Sequence, residues 1–204
     1  MNRKKVYIAG GVIILAAMIA SISSINARSY VYVDDDAPSD WYDATHVKTI
    51  QEGIDNASIG DTVFVYNGIY YENLVLYTSI GLIGEDKNTT IIDGKNKGCT
   101  ITLTSENAII KNLTIIGVGF DTDDFINFFR AGIRVTCSIN TICNNIFRKN
   151  CLGISAVRVT NLTIKDNTFI EDGVGFTSYE NDGRHELKIK YFLHNIENNT
   201  VNEK

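Results

Sequence analysis

Three asparagines constrain this fold more than any other feature of the chain. Asn145-Ile146-Phe147, Asn167-Thr168-Phe169 and Asn199-Thr200-Val201 repeat one motif, the first two copies 22 residues apart. Gly132-Ile133, Gly153-Ile154 and Gly175-Phe176 keep nearly the same beat, at 21 and 22 residues, and Ile142, Ile164 and Ile196 run alongside. Three columns in one register, carried by Asn and single apolar residues rather than by an i, i+3, i+4 pattern, predict short strands stacked as a parallel β-helix. Thr90-Ile91-Ile92-Asp93-Gly94 and Thr114-Ile115-Ile116-Gly117 match at a step of 24, so the beat begins well before the clearest repeats. Two steps are stretched, Asn112 to Asn145 by 33 residues and Asn167 to Asn199 by 32. The extra residues, 119–130 and 177–190, predict loops on the flank of the solenoid. The length after the N-terminal segment accommodates about six coils at an inter-strand spacing of about 4.8 Å.

Ahead of the coils the pattern changes. Tyr30-Val31-Tyr32-Val33 alternates as a strand, and Asp34-Asp35-Asp36-Ala37-Pro38 reads as a turn. Val47, Ile50, Ile54 and Ala57 then share one helical face, with Lys48, Gln51, Glu52 and Asp55 opposite. An open β-helix end leaves core and backbone to water, so this amphipathic helix is predicted to cap it. Further upstream, Asn2-Arg3-Lys4-Lys5 precedes an uncharged apolar run from Val6 to Ile22. Residues 1–27 therefore read as a signal peptide or an N-terminal membrane anchor. The plan is an export segment over 1–27, a first strand and capping helix over 28–60, and the β-helix over 61–204. No sign of a C-terminal cap follows Asn199, so the expectation is either a sequence cut short relative to its relatives or a bare strand edge that leads to self-association.

A formal charge of −5, with carboxylates outnumbering Lys and Arg, excludes nucleic acid as a partner. Cys99, Cys137, Cys143 and Cys151 match no metal or redox spacing. In an exported chain they allow one or two disulfides, and packing as small buried hydrophobes is the preferred reading.

The order Thr49-Ile50-Gln51-Glu52-Gly53-Ile54-Asp55-Asn56-Ala57, Gly60-Asp61-Thr62-Val63-Phe64-Val65, Gly68-Ile69-Tyr70-Tyr71-Glu72-Asn73, Leu82-Ile83-Gly84 and Thr90-Ile91-Ile92-Asp93-Gly94 resembles the entry region of pectin-lyase-like right-handed β-helices. The later Asn-rich coils resemble NosD-type and carbohydrate-binding β-helix repeats of envelope proteins, and the YVDDDAP opening is similar to archaeal surface members. The resemblance implies an all-β fold: a single-stranded right-handed parallel β-helix with an N-terminal amphipathic capping helix. It implies export to the cell surface or exterior. It says little about activity, because esterases, lyases and non-enzymes share that entry region.

Each candidate chemistry is weighed on the residues. Pectin esterases use paired aspartates on a Gly-Asp-Phe-Ile-Phe-Gly-like strand, which this chain lacks, and Asp166 reads as a turn residue, so no catalytic residue is assigned. Lyases of this class use aspartates for Ca²⁺ and a basic residue for proton removal. Asp121, Asp123 and Asp124, followed by Arg130 and Arg134, offer such a set, with Ca²⁺ the one cofactor considered. The preferred reading leaves those aspartates in solvent while Phe125, Phe128 and Phe129 pack the loop down. Asp34-Asp35-Asp36 is read as a solvated turn. A copper accessory role is implied by the NosD resemblance, but His46, His185 and His194 are far apart, and Met1 and Met18 lie in the export segment. Sugar binding through flat aromatic faces points to Trp41 and Phe128, with Tyr42, Tyr66, Tyr70 and Tyr71 as further candidates. Asn56 and Asn88 head sequons outside the Asn columns and are the glycosylation candidates. The expectation is a non-catalytic exported β-helix that binds carbohydrate or envelope proteins, with a polysaccharide-active enzyme as the alternative.

Overall fold

The computed structural model describes residues 28–117, 130–172, 174–181, 187–189 and 195–202. The chain winds through three sheets in turn. The first sheet holds β1 (Tyr30–Val33), β2 (His46–Val47), β3 (Thr62–Val65), β6 (Gly81–Gly84), β9 (Ile109–Lys111), β12 (Thr141–Cys143), β15 (Thr163–Lys165) and β19 (Asn195–Glu197). The second holds β4 (Gly68–Tyr70), β7 (Thr90–Asp93), β10 (Thr114–Ile116), β13 (Ile146–Arg148), β16 (Thr168–Ile170) and β20 (Thr200–Asn202). The third holds β5 (Leu74–Leu76), β8 (Ile101–Leu103), β11 (Ala131–Val135), β14 (Leu152–Val157), β17 (Val174–Asn181) and β18 (Leu187–Ile189). From β3 onward, apart from β18, which follows β17 in the third sheet, the strands visit the sheets in the order first, second, third, which gives the second sheet its six strands and agrees with six coils.

Neighbouring strands pair in parallel, with an exception at the stretched step. There β17 continues to Asn181 and pairs antiparallel with β18, Tyr179 opposite Ile189. The expected flank loop over 177–190 is thus in part a hairpin extension of the third sheet. Thr177-Ser178-Tyr179 suits a strand, and nothing in the period could show that the inserted residues would pair with themselves.

Alternation puts one side of each strand inside. Tyr70, Ile92, Ile115, Phe147 and Phe169 stack in register along the second sheet. All are buried, and the Phe147 and Phe169 rings stack at 4.9 Å. Leu82, Ile110, Ile142 and Ile164 form the matching column of the first sheet. Leu74, Ile101, Ile133 and Ile154 do the same in the third.

The capping helix is α1, Ile50–Asn56, which buries Ile50, Gly53 and Ile54 against the first coil. Thr49 caps it by accepting from the Glu52 amide, and the Glu72 carboxylate accepts from the Ile50 and Gln51 amides at 2.8 and 3.0 Å. Gln51 closes the edge of the third sheet. Its Nε2 donates to the Val75 carbonyl and its Oε1 accepts from the Val75 amide, so a side-chain amide takes the place of a neighbouring strand beside β5. A Cβ on Gly53 would stand 2.9 Å from Val33 Cγ2, so the helix lies this close only because position 53 has no side chain. Val47, expected on the helical face, belongs to β2, because the helix begins only after its Thr49 cap. No helix among the described residues is long and apolar enough to cross a membrane.

The repeating asparagines form a ladder at the corner between the first and second sheets. Asn145 donates from its backbone amide and from Nδ2 to Asn167 Oδ1, at 3.0 and 3.2 Å, and Asn167 does the same to Asn199 Oδ1. Their Nδ2 groups also reach the carbonyls of Ile110, Ile142 and Ile164. The left-handed turn conformation belongs to the preceding residues, Asn144, Asp166 and Asn198, with φ of 54°, 57° and 53°. Asp166 is thereby the exposed turn residue it was expected to be.

Candidate binding face

The outward positions of the first sheet form a second set of columns. In register, His46 lies beside Tyr32, then Phe64, Ile83, Lys111, Cys143, Lys165 and Glu197. The face is therefore aromatic where the helix begins, carries Lys111 and Lys165 further along, and ends on Glu197 beside Lys165. Parallel strands step by about 4.8 Å, which separates Lys111 from Lys165 by about 10 Å.

At the aromatic end the rings meet. Tyr32 stacks on Tyr30 at 5.8 Å between centroids and on His46 at 5.2 Å, with interplanar angles of 16° and 14°. Trp41 stands edge-on to His46 at 4.6 Å and to Tyr66 at 6.1 Å, and Tyr66 packs edge-on to Phe64. The turn that delivers Trp41 is fixed by Asp43, whose Oδ1 accepts from the Thr45 and His46 amides and from Thr45 Oγ1, and lies 2.9 Å from His46 Nδ1. Those donors, the Thr45 amide foremost, hold the Asp43 carboxyl well below the usual carboxylate range. Tyr32, Trp41 and Tyr66 are half-buried and Tyr30 is 49% exposed, so the cluster is partly open to solvent.

Further along, the Cys143 thiol is pushed up by its burial, with the Lys165 and Lys111 ammonium groups pulling the other way. Both cations therefore bear on the same outward column. No disulfide joins the four cysteines, and Cys151 is buried.

The other expected residues are placed as follows. Asp121, Asp123, Asp124 and Phe128 lie outside the described residues. Arg134 is half-buried on β11 and Arg130 precedes that strand. Tyr42 joins the aromatic cluster against Trp41 at 5.5 Å. Tyr70 does not: its ring is in the core, and its hydroxyl donates to the Tyr66 carbonyl at 3.0 Å. Tyr71 is 60% exposed but sits elsewhere, beneath the Lys95 ammonium, 3.7 Å from its ring centroid. Asn56 and Asn88 are both exposed. Asp34, Asp35 and Asp36 each place a carboxylate oxygen within 4.8 Å of the others. Asp34 is pushed up from its ordinary value, chiefly by burial.

In the sequence Tyr32 reads only as part of the first strand and His46 only as a candidate copper ligand, and Lys111 and Lys165 are not singled out. Tyr32 and His46 meet only because two-residue β2 pairs with β1, and the sequence carries no pattern for that pairing. The lysines had a signal: each follows an inward Ile of the repeating column, as in Ile110-Lys111 and Ile164-Lys165.

These features define a right-handed parallel β-helix. Among solved structures, pectin methylesterase from carrot is similar at 12% identity, a TM-score of 0.52 and coverage of 88% of this chain and 65% of that one. A pectin methylesterase in complex with a hexasaccharide gives 15% identity and a TM-score of 0.49, covering 87% and 68%. PemA of Erwinia chrysanthemi gives 13% and 0.44, covering 76% and 62%. Likeness at these identities shows the fold alone. The family model described as periplasmic copper-binding protein (NosD) matches residues 54–204, and the chain belongs to the NosD family. No curated protein matches.

Proposed function

We propose that this NosD-family β-helix is an exported, non-catalytic protein that binds glycans on the outer face of its first sheet. The observation that carries this reading is the aromatic cluster of Trp41, Tyr32, Tyr30 and Tyr66, partly open to solvent at one end of the outer face of a parallel sheet. Lys111 and Lys165 on the same column favour an acidic glycan, whose carboxylates they would pair. The family's description as periplasmic supports an exported location. Copper finds a poor donor set among the described residues: His46 is the one imidazole, its Nδ1 is engaged by Asp43, and the one carboxylate cluster is a hard-oxygen group.

Affinity electrophoresis through gels containing a soluble polyuronate or a neutral glucan tests the reading. Retardation by the polyuronate is expected, with Trp41→Ala weakening binding about tenfold, the scale of one lost stacking contact of about 1.4 kcal/mol. The pair Lys111→Gln and Lys165→Gln is expected to weaken the polyuronate interaction and flatten its salt dependence. No retardation in either gel, or retardation indifferent to Trp41, counts against the reading.

A further inference from the structure

A second amide column stands at the corner between the second and third sheets, and one of its rungs is not an amide. Five residues beyond Asn145 and Asn167 lie Asn150 and Asp172, in register because Arg148 pairs with Ile170. Asn150 donates as its counterpart does: its backbone amide and Nδ2 donate to Asp172 Oδ1 at 2.8 and 3.1 Å, and Nδ2 also reaches the Ile115 carbonyl at 3.1 Å, while its own Oδ1 is buried without a partner among the described residues. Lys149 and Glu171 take the left-handed turn conformation before them, as Asn144 and Asp166 do in the first column. Asp172 therefore occupies an asparagine position in every respect but one. In each amide rung of both columns, Nδ2 donates to a carbonyl of the coil beneath. Ile115, the acceptor for Asn150, pairs with Phe147, so the acceptor matched to position 172 is the Phe147 carbonyl. An ionised carboxylate can offer that carbonyl only lone pairs. Asp172 Oδ2 is accordingly buried without a hydrogen-bond partner among the described residues.

We propose that Asp172 is a neutral carboxylic acid in the folded protein, completing the column by donating its Oδ2 proton to the Phe147 carbonyl, and that its ionisation loosens the corner joining β13–β14 to β16–β17. Burial is the leading influence on this carboxyl and pushes it up to about 6, against the pull of the two Asn150 donors. The charged or titratable groups on the two turns that meet here are Arg148, Lys149, Cys151 and Glu171, with Lys149 Nζ 3.9 Å from Glu171 Oε2. Glu203 and Lys204 follow β20 and lie outside the described residues.

The sign is opposite to that of an ion-paired aspartate. A carboxyl raised in the folded state binds its proton more tightly there than in the unfolded chain. Its contribution is complete below pH about 4, falls as pH rises through about 4 to 6, and is gone above about 7. A span of two pH units corresponds to at most about a hundredfold in the folding equilibrium.

The test is urea unfolding of the whole chain between pH 4 and 8 for wild type, Asp172→Asn and Lys204→Gln. Wild type is expected to weaken towards neutral pH relative to Asp172→Asn, which keeps the full column at every pH. Lys204→Gln is expected to follow wild type. Parallel curves for wild type and Asp172→Asn overturn the proposal. So does a wild type that gains on Asp172→Asn as pH rises, the signature of an ion pair. Should Asp172→Asn not fold, the chemical shift of the Asp172 carboxyl carbon in wild type decides: titration near 6 supports the proposal, and titration at or below 4 overturns it.

Discussion

The two ends of the solenoid solve the same problem differently. Near the helix, the corners between the first and second sheets are irregular: Tyr66-Asn67 follows β3, and residues 85–89 follow β6. These coils are held by apolar burial of Val31, Val33, Val63 and Val65 against α1. From β9 onward the same corner is a two-residue unit, a left-handed turn residue (Asn112, Asn144, Asp166, Asn198) followed by an inward residue, which is Asn from Asn145 on. Leu113 fills that inward position one coil earlier, and its backbone amide donates to Asn145 Oδ1, so the column changes from apolar to amide at that step. In these left-handed corners a side-chain amide in register satisfies backbone groups that the turn buries. A loose corner leaves its side chains free to do something else. In this chain the regular half is structural, and the irregular half carries the aromatic face.

That contrast can be broken by substitution. Asn167→Ala is expected to cause the largest loss of stability. It leaves the buried Asn145 amide and the Ile142 carbonyl without partners, at a cost of about 2–4 kcal/mol, read as a lower urea midpoint at unchanged slope. A smaller loss, about 1 kcal/mol, is expected for Gln51→Ala, because the Val75 groups it frees are exposed and water replaces the amide. If Gln51→Ala costs more than Asn167→Ala, the capped end and not the ladder limits stability, and the contrast is inverted.

The fold was legible because a solenoid writes its period into the sequence. Asn145, Asn167 and Asn199 marked the coils, and the helix face of Ile50 and Ile54 marked the cap. Asp172 was equally readable, since it lies 22 residues beyond Asn150 at the same offset from the first column, but a column of two unlike residues does not look like a repeat. The aromatic face was legible in part, through Trp41, Tyr42 and Tyr66. Its partners Tyr32 and His46 come together through the pairing of β1 with a two-residue strand, a tertiary contact that no local pattern encodes. Tyr70 went the other way: it resembles its exposed neighbour Tyr71, and only strand alternation decides which of the two faces the core.

Trp41 is the single tryptophan of the chain, so its fluorescence reports on the proposed face and nothing else. Titration of the whole protein with an acidic oligosaccharide is expected to shift that emission saturably, with the midpoint moving to higher ligand concentration in the Lys111→Gln, Lys165→Gln variant. Binding detected by calorimetry while Trp41 emission stays unchanged would place the glycan elsewhere and contradict the assignment of this face.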